Sequence, residues 1–260
     1  MAGHWVTLLL LGLVTLSASF LLNGTSKKKG FAISAKHYHC ADFAALKGTH
    51  WWYDWGHGTQ KYVDQCHTGV SAGYVPMVWG WHKNGQNNGH DFGHYDTVLG
   101  FNEPNHRKQS NITYEQAARF WPVLEKQAGS RTLVSPSAAP CGNSCQGNVI
   151  PWFTGFFQEC KGCRVDYLAT HHYGCSADNT MAYLKDLWNR FHRKIWLTEF
   201  NCNQGGKSHI LQYMKHILPR LEAAPFVHRY AWFGIHLTDA GLLESNSSAL
   251  TELGRFYMQF

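Results

Sequence analysis

The segment from Val165 to Cys202, VDYLATHHYGCSADNTMAYLKDLWNRFHRKIWLTEFNC, gives the clearest indication of the fold. It begins with an apolar, strand-like run. An amphipathic segment follows, in which Met181, Leu184 and Trp188 recur at helical spacing. A second apolar run completes the stretch. A strand, a crossover helix and a second strand form the basic unit of a parallel sheet.

The same alternation continues on both sides of this unit. The apolar runs span residues 30–34, 49–56, 73–80, 97–105, 131–140, 165–174, 194–202 and 228–236. Helical runs separate nearly all of them. Eight strands alternating with helices predict an α/β fold, a single (β/α)8 TIM barrel over residues 31–260. An open, doubly wound sheet is the alternative, although no glycine-rich phosphate loop follows the first run.

The composition favours a neutral, flat-faced ligand. Hydrophobic residues make up 44% of the 260 residues, whereas charged residues make up 15% and aromatic residues 15%, with 11 Trp. Sugars present such faces and phosphates do not. The formal net charge is +6, but no long stripe of Lys and Arg suits nucleic acid, so we expect no nucleic-acid partner.

Residues 1–22 are predicted to be a signal peptide or an N-terminal anchor. Residues 6–22 are almost unbroken apolar, and the small residues 17–19 offer a cleavage site. No Lys or Arg precedes them, which keeps the anchor open as the alternative. Residues 23–30 are expected to form a short basic linker. The domain is then secreted or extracellular, and it has a membrane partner only if residues 6–22 remain as an anchor.

The cysteine content agrees with export. The chain contains an even number of cysteines, at Cys40, Cys66, Cys141, Cys145, Cys160, Cys163, Cys175 and Cys202. Short separations make Cys141–Cys145 and Cys160–Cys163 the expected local disulfides, and a zinc site from the same four residues is the alternative. Export favours disulfides. Glycosylation sequons that suit a secreted surface occur at Asn23, Asn111 and Asn246.

Carboxylic acids stand at the ends of two predicted strands. In a barrel of this type the active site lies at the carboxyl ends of the strands. The fourth apolar run leads into Glu103 and the seventh into Glu199, on opposite sides of the barrel mouth. Glycoside hydrolysis needs two such groups, one to protonate the leaving oxygen and one to attack the anomeric carbon or to activate water. Either residue alone would also suit a salt-bridged strand end. For the pair, we expect Glu103 to hold its proton near neutral pH.

Several motifs in one order resemble glycoside hydrolase family 128, which comprises secreted β-1,3-glucanases with a compact (β/α)8 barrel. They are WWYDWG, PMVWG, LGFNEPN, EQAARFWP, CRVDYLATHHYG, IWLTEFNC, RYAWF and ALTELGRFY, and the resemblance covers residues 30–260. LGFNEPN and IWLTEF look like the paired strand-end motifs of clan A. The resemblance implies that Glu103 is the general acid/base, that Glu199 is the nucleophile and that Asn102 bonds the sugar 2-hydroxyl.

The resemblance also suggests substrate-binding residues. We expect Tyr173 to bond the nucleophile, and Trp232 to form a platform under the sugar at the cleavage point. Trp55, Trp79 and Trp81 are expected to line further subsites, with simple rim packing as the alternative for each.

Two residues depart from the family pattern. Asn105 stands where Asp is usual after the proline, and His172 stands where Trp is usual before the tyrosine. We expect His172 to alter a stacking surface for the glucan. The expected reaction is retaining, endo-acting hydrolysis of β-1,3-glucan, with this polysaccharide as partner and with no metal or organic cofactor. No exposed apolar stripe stands out, and we expect a monomer. A glucan-binding protein with little turnover and another clan A specificity, such as a mannanase, are the alternatives.

Overall fold

Strands and helices alternate along the chain in the computed structural model, which describes residues 26–34, 36–66, 73–81 and 90–260. The strands within these ranges are β1 (Lys29–Ala32), β2 (Trp51–Tyr53), β3 (Thr97–Leu99), β4 (Thr132–Ala138), β5 (Tyr167–Tyr173), β6 (Ile195–Asn201) and β7 (Val227–Phe233). The helices are α1 (Cys40–Ala45), α2 (Gln60–Cys66), α3 (Tyr114–Ala128), α4 (Val149–Glu159), α5 (Ala177–Phe191), α6 (Gly206–Ala223) and α7 (Glu252–Gln259).

The sheet closes into a barrel. Its strands follow the order β2-β1-β7-β6-β5-β4-β3, and all neighbours are parallel. The segment 73–78 fills the gap between the two edge strands. The Val75 N–H donates to the Trp52 carbonyl of β2 at 2.9 Å, and the Val78 N–H donates to the Leu99 carbonyl of β3 at 3.0 Å.

Pro76 explains why this eighth segment is not a regular strand. Proline has no N–H group and cannot donate to a central ladder. The segment therefore forms isolated parallel bridges at Tyr74 and Met77 instead of a continuous strand. The prediction of eight extended segments in a (β/α)8 barrel is confirmed.

Large and small side chains share the barrel interior. The indoles of Trp51 and Trp196 fill it, with ring centroids 5.0 Å apart, and Ala32 and Ala231 belong to the same buried cluster. A Cβ atom at Gly30 would lie 2.5 Å from the Trp51 indole, so the backbone of β1 leaves no room there for a side chain. A larger apolar core lies between the strands and the surrounding helices. Part of the Trp content is therefore core.

Four disulfides connect the cysteines, at Cys40–Cys66, Cys141–Cys145, Cys160–Cys163 and Cys175–Cys202. Both predicted local pairs are confirmed. The zinc alternative is wrong because its four thiols are consumed in these bonds. The bridge between Cys175 and Cys202 joins the segments that follow β5 and β6.

The predicted basic linker over residues 23–30 is wrong at its C-terminal end. Lys29 begins β1, is 1% exposed, and donates from Nζ to the Tyr257 carbonyl in α7 at 2.8 Å. Lys28 donates to three carbonyl groups at the end of α6. Cations at helix C-termini satisfy unpaired carbonyls and oppose the negative end of the helix dipole. These lysines therefore attach β1 to the last two helices.

The predicted signal peptide or anchor over residues 1–22 lies outside the described residues. No helix in the described part of the chain has both the length and the apolar character that crossing a membrane requires.

We expect Lys29→Met to lower the free energy of unfolding by about 1–3 kcal/mol, because the buried Tyr257 carbonyl loses its donor. Lys27→Met is the matched control, since Lys27 is exposed, and it should change stability by less than about 0.5 kcal/mol. Urea denaturation measures both values. Equal effects of the two substitutions would contradict a structural role for Lys29.

Candidate active site

A groove crosses the carboxyl ends of the strands. Its central cavity has a volume of about 810 Å³ and is lined by Glu103 and Glu199, among others. A second cavity of about 540 Å³ adjoins it, and Trp55 and Phe233 line both. Because the two cavities share these lining residues, they form one continuous groove.

Three side chains hold Glu199 from two sides. Glu199 lies in β6 and is 5% exposed. Its Oε1 atom accepts hydrogen bonds from the Trp55 indole at 2.8 Å and from the Tyr53 hydroxyl at 3.3 Å, and its Oε2 atom accepts one from the Tyr173 hydroxyl. Burial and the neighbouring Glu199 charge raise the pKa of Tyr173, so this hydroxyl keeps its proton and acts as a donor. A buried carboxyl group requires such partners.

His171 lies between the two carboxyl groups. Its side chain is 0% exposed, and its Nδ1 atom is 2.8 Å from Glu103 Oε1 and 3.4 Å from Glu199 Oε2. A carboxyl oxygen of each glutamate and a ring nitrogen of His171 lie within 4.8 Å of one another. The carboxyl groups of retaining glycosidases are about 5–5.5 Å apart, so this separation suits retention.

The pKa of Glu103 differs from the expectation. Burial raises it, but the hydrogen bond from His171 and the positive charge of that ring outweigh burial, and the net pKa lies below the usual value. Burial lowers the pKa of His171, yet the two glutamates reverse this and the net pKa is raised. Both shifts favour a proton on the imidazole, hydrogen-bonded to Glu103, over a proton on the Glu103 carboxyl group.

Two residues of the groove have a left-handed backbone. Trp55 has φ 62° and Glu103 has φ 39°. This conformation costs a bulky residue about 1–2 kcal/mol. Backbone hydrogen bonds hold Glu103 in place, from its own N–H to the Ser137 carbonyl at 3.2 Å and from the His106 N–H to its carbonyl at 2.9 Å. Such strain is common where backbone geometry serves function.

Asn102 lines the central cavity and is 3% exposed. Its Nδ2 atom is 3.4 Å from Gln109 Oε1, and its Oδ1 atom has no hydrogen-bond partner among the described residues. An unpaired buried carbonyl oxygen beside Glu103 is suited to accept a bond from a ligand hydroxyl. Trp79 also lines this cavity and is 41% exposed, so one of its faces is open to a ligand.

The prediction that Trp232 forms a platform under the sugar is wrong by one position. Trp232 is fully buried, and its indole N–H donates to the Ala240 carbonyl at 2.7 Å. Successive side chains of a strand point to opposite faces, so the next residue, Phe233, faces the groove instead.

His172 and Trp81 also lie away from the central cavity. The His172 ring packs on Tyr183 of α5, with ring centroids 5.1 Å apart, so the predicted effect on a glucan-stacking surface is wrong. Trp81 stacks on Phe120 at 4.8 Å and lines a separate cavity. His172 faces the helix layer because it alternates with the inward-facing His171.

Asn105, the other departure from the family pattern, has a structural task. It is fully buried, and its Nδ2 atom donates to the carbonyls of Ala139 at 2.8 Å and Gly147 at 3.0 Å. An Asp carboxylate could not donate these bonds. Asn105 thus ties the loop after Glu103 to the loop after β4.

Sequence reasoning missed Tyr53 and His171 as buried partners of the two glutamates, and Phe233 as a groove residue. His171 had a usable signal, because it lies two positions before Tyr173 on the same strand face. The position of Tyr53 depends on contact between β2 and β6, which no local pattern in the sequence reveals.

Two side-chain groups among the described residues are close enough for a metal ion. Cys175, Cys202 and His209 form one, but its cysteines are joined in a disulfide. Glu103, His171 and Glu199 form the other. The second group offers the ligand types of a divalent cation, although its oxygens already accept hydrogen bonds from the surrounding donors.

Residues 30–257 match a family model described as glycosyl hydrolase catalytic core. The chain belongs to this family. Within it, the chain is a member of glycoside hydrolase family 128, because an endo-β-1,3-glucanase of subgroup II of family 128, from Sorangium cellulosum, shares 32% identity. That structure superposes with a TM-score of 0.77, covering 89% of this chain and 97% of that one.

More distant relatives of this glycoside hydrolase include enzymes with other modes of action. A curdlan-specific exo-β-1,3-glucanase of subgroup III from Blastomyces gilchristii is 26% identical, with a TM-score of 0.75 and coverage of 92% of this chain and 100% of that one. The alkali-sensitive linkage protein 1 of Schizosaccharomyces pombe is 28% identical over 91% of this chain. The chain spans only 45% of the length of that curated relative.

We expect His171→Gln to raise the pKa of Glu103, because glutamine carries no positive charge and burial then dominates. Carbon-13 NMR titration of the glutamate carboxyl groups measures this pKa. His106→Gln is the control, because His106 lowers the pKa of Glu103 less than His171 does. A pKa of Glu103 that is unchanged or lower in His171→Gln would contradict the assigned ion pair.

Proposed function

We propose that this protein is a retaining hydrolase of β-1,3-glucan. The observation that carries the proposal is the opposed pair Glu103 and Glu199, with carboxyl oxygens within 4.8 Å of each other in one groove. The substrate class is supported by the relatives, among them an endo-β-1,3-glucanase from Amycolatopsis mediterranei that was crystallised with laminaritriose and, as a variant, with laminarihexaose.

In the first step Glu199 attacks the anomeric carbon while the glycosidic bond breaks. As substrate excludes water, His171 Nδ1 passes its proton to Glu103 over the 2.8 Å hydrogen bond, and Glu103 gives this proton to the leaving oxygen. The donors around Glu199 fix the orientation of its carboxyl group for attack. The products of this step are a glycosyl ester on Glu199 and a leaving chain whose released oxygen is now a free hydroxyl at its non-reducing end.

In the second step Glu103, now deprotonated, accepts a proton from water, and this water attacks the same anomeric carbon. The ester bond to Glu199 breaks, and the sugar leaves with its original configuration. The proton that Glu103 gained then returns to His171 Nδ1 over their hydrogen bond, which restores the ion pair. Asn102 is proposed to bond the sugar 2-hydroxyl, and such a bond would strengthen as the oxocarbenium-like transition state forms.

We propose endo action because the groove continues from the central cavity into the second cavity across the barrel mouth. An internal stretch of glucan could cross such a groove. The endo-acting relative from Sorangium cellulosum supports this choice, whereas the exo-acting relative shows that the fold also serves chain-end cleavage.

We also propose that the domain acts as an extracellular or secreted monomer with polysaccharide as its partner. Four disulfides support an oxidising compartment. The sequon residues Asn111 and Asn246 are exposed, as N-glycosylation would require. Attachment to a membrane would depend on residues 6–22.

The wild type should release reducing sugar from linear β-1,3-glucan and not from β-1,4-glucan or mannan. Glu199→Gln should lower this activity by about 10³-fold or more, because the attacking group is removed. Glu252→Gln, on the exposed face of α7, is the matched control and should keep full activity. Equal traces of sugar from the wild type and Glu199→Gln would refute the proposed function.

Glu103→Gln should lose hydrolysis of glucan but retain most of the rate of glycosyl-enzyme formation from aryl glucosides with good leaving groups, since this first step then needs no protonation. Parallel kinetics on both substrates measure this contrast. An equal loss on both would contradict the role of Glu103 as the acid. Proton NMR of the first product should show the β-anomer, and an initial α-anomer would contradict retention.

A further inference from the structure

We propose that Asp54 is a positioning residue for the nucleophile: it fixes the left-handed turn at Trp55, whose indole N–H bonds Glu199. The proposal rests on the proposed function for its catalytic consequence, but its contacts can be tested without substrate.

Asp54 is saturated with hydrogen bonds. Its side chain is 0% exposed. Its Oδ1 atom accepts from the Tyr74 hydroxyl at 2.8 Å and from the Gly56 N–H at 2.9 Å, and its Oδ2 atom accepts from the Tyr62 hydroxyl at 2.7 Å and from Lys61 Nζ at 2.7 Å. Such a side chain has neither the exposure nor a free lone pair to touch a substrate, so it is not itself a catalytic group.

These bonds surround the turn at Trp55. The bond from Gly56 to the Asp54 side chain closes a turn across the intervening residue, which has φ 62°. On the other side, the Gly56 carbonyl accepts from the Met77 N–H at 2.7 Å, and at 2.8 Å it shares the single hydrogen of the Tyr74 hydroxyl with Asp54 Oδ1. The turn is thus held by its own side chain and by the segment 73–78 that closes the barrel.

The turn decides whether Glu199 keeps its shortest bond to Oε1. The Trp55 indole N–H lies 2.8 Å from this oxygen. The other donor to Oε1 is the Tyr53 hydroxyl, at 3.3 Å, and its one hydrogen is shared with the Thr198 carbonyl at 3.1 Å. If the turn relaxed, the indole would swing away and Glu199 Oε1 would keep only this shared donor.

A purely structural role for Asp54 makes a different prediction. Loss of the buried Asp54 carboxyl group would then weaken the barrel independently of the Trp55 indole. The loss of turnover from an Asp54 substitution would add to the loss from a Trp55 substitution. A positioning role acts through the indole, so its effect should vanish when the indole N–H is already absent.

The test is a double-mutant cycle with Asp54→Asn and Trp55→Phe, measured as single-turnover formation of the glycosyl-enzyme. Each single variant should slow this step about 10- to 100-fold, and the double variant should be no more than about twofold slower than Trp55→Phe. Additive losses would overturn the proposal.

Tyr62→Phe and Tyr74→Phe each remove one donor and keep the carboxyl group, so they serve if Asp54→Asn does not fold. They should slow the step less and couple to Trp55→Phe in the same way.

A spectroscopic readout tests the contact in the ligand-free protein. The Trp55 indole N–H signal is assigned by its loss in Trp55→Phe, and it should move in both Asp54→Asn and Glu199→Gln. Tyr230→Phe is the matched control, because it removes a buried hydroxyl that bonds the carboxyl group of Glu222 away from the groove, and it should leave both signal and rate unchanged. An unmoved Trp55 signal in Asp54→Asn would overturn the proposal. If the wild type cleaves no glucan, the proposed function fails, and this spectrum still decides the role of Asp54.

Discussion

The structure of the barrel mouth, at the carboxyl ends of the strands, depends on one constraint, the burial of the Glu199 carboxyl group. A carboxyl group that is 5% exposed needs hydrogen-bond donors, and β6 cannot supply them itself. They come from β2, from the turn after β2 and from the end of β5. These elements meet at Glu199 because the ring of strands is closed. The segment 73–78 that closes it also supplies Tyr74 to Asp54, so barrel closure and the geometry of the site are connected through a few residues.

Carboxyl oxygens of Glu103 and Glu199 lie within 4.8 Å of each other, so two ionised groups would repel. A positive charge on His171 between them offsets this repulsion. Folding raises the pKa of His171, so protonation of the ring adds stability below its unfolded pKa of 6.5, and this contribution disappears as the pH rises through the folded pKa. Folding lowers the pKa of Glu103, so its charge adds stability above the unfolded value of 4.5 and loses this effect as the pH falls through the folded pKa. The ion pair therefore exists between the two folded pKa values, and the same pair holds the proton that hydrolysis needs.

Sequence alone predicted the barrel, both strand-end glutamates and two of the four disulfides, because each depends on periodicity or short separation. It failed where the result depends on long-range register. Trp232 and Phe233 are neighbours in sequence, and only the packing of β7 between β1 and β6 decides which of them faces the groove. The basic run at residues 27–29 was predicted to belong to a linker. Its contacts could not be predicted locally, because the helix ends that Lys28 and Lys29 bind lie near the opposite terminus of the chain. Asp54 was predicted only as part of the second apolar run, because its partners Tyr62 and Tyr74 come together only in the closed barrel.

The strain in the site lies on functional residues and is compensated by their neighbours. Trp55 and Glu103 both adopt left-handed backbone in the loops that follow β2 and β3, where glycine would be favoured by conformation alone. A glycine at position 55 would relieve the strain but would remove the indole that bonds Glu199, and one at position 103 would remove the acid. Each residue is therefore held by polar contacts that a relaxed loop would not need: the Asp54 side chain in the first case, and the Ser137 and His106 backbone in the second. The conformational cost and the chemical function therefore fall on the same two residues. The stability of the fold comes from other parts of the molecule, namely the aromatic barrel interior and the lysines bound at the ends of α6 and α7.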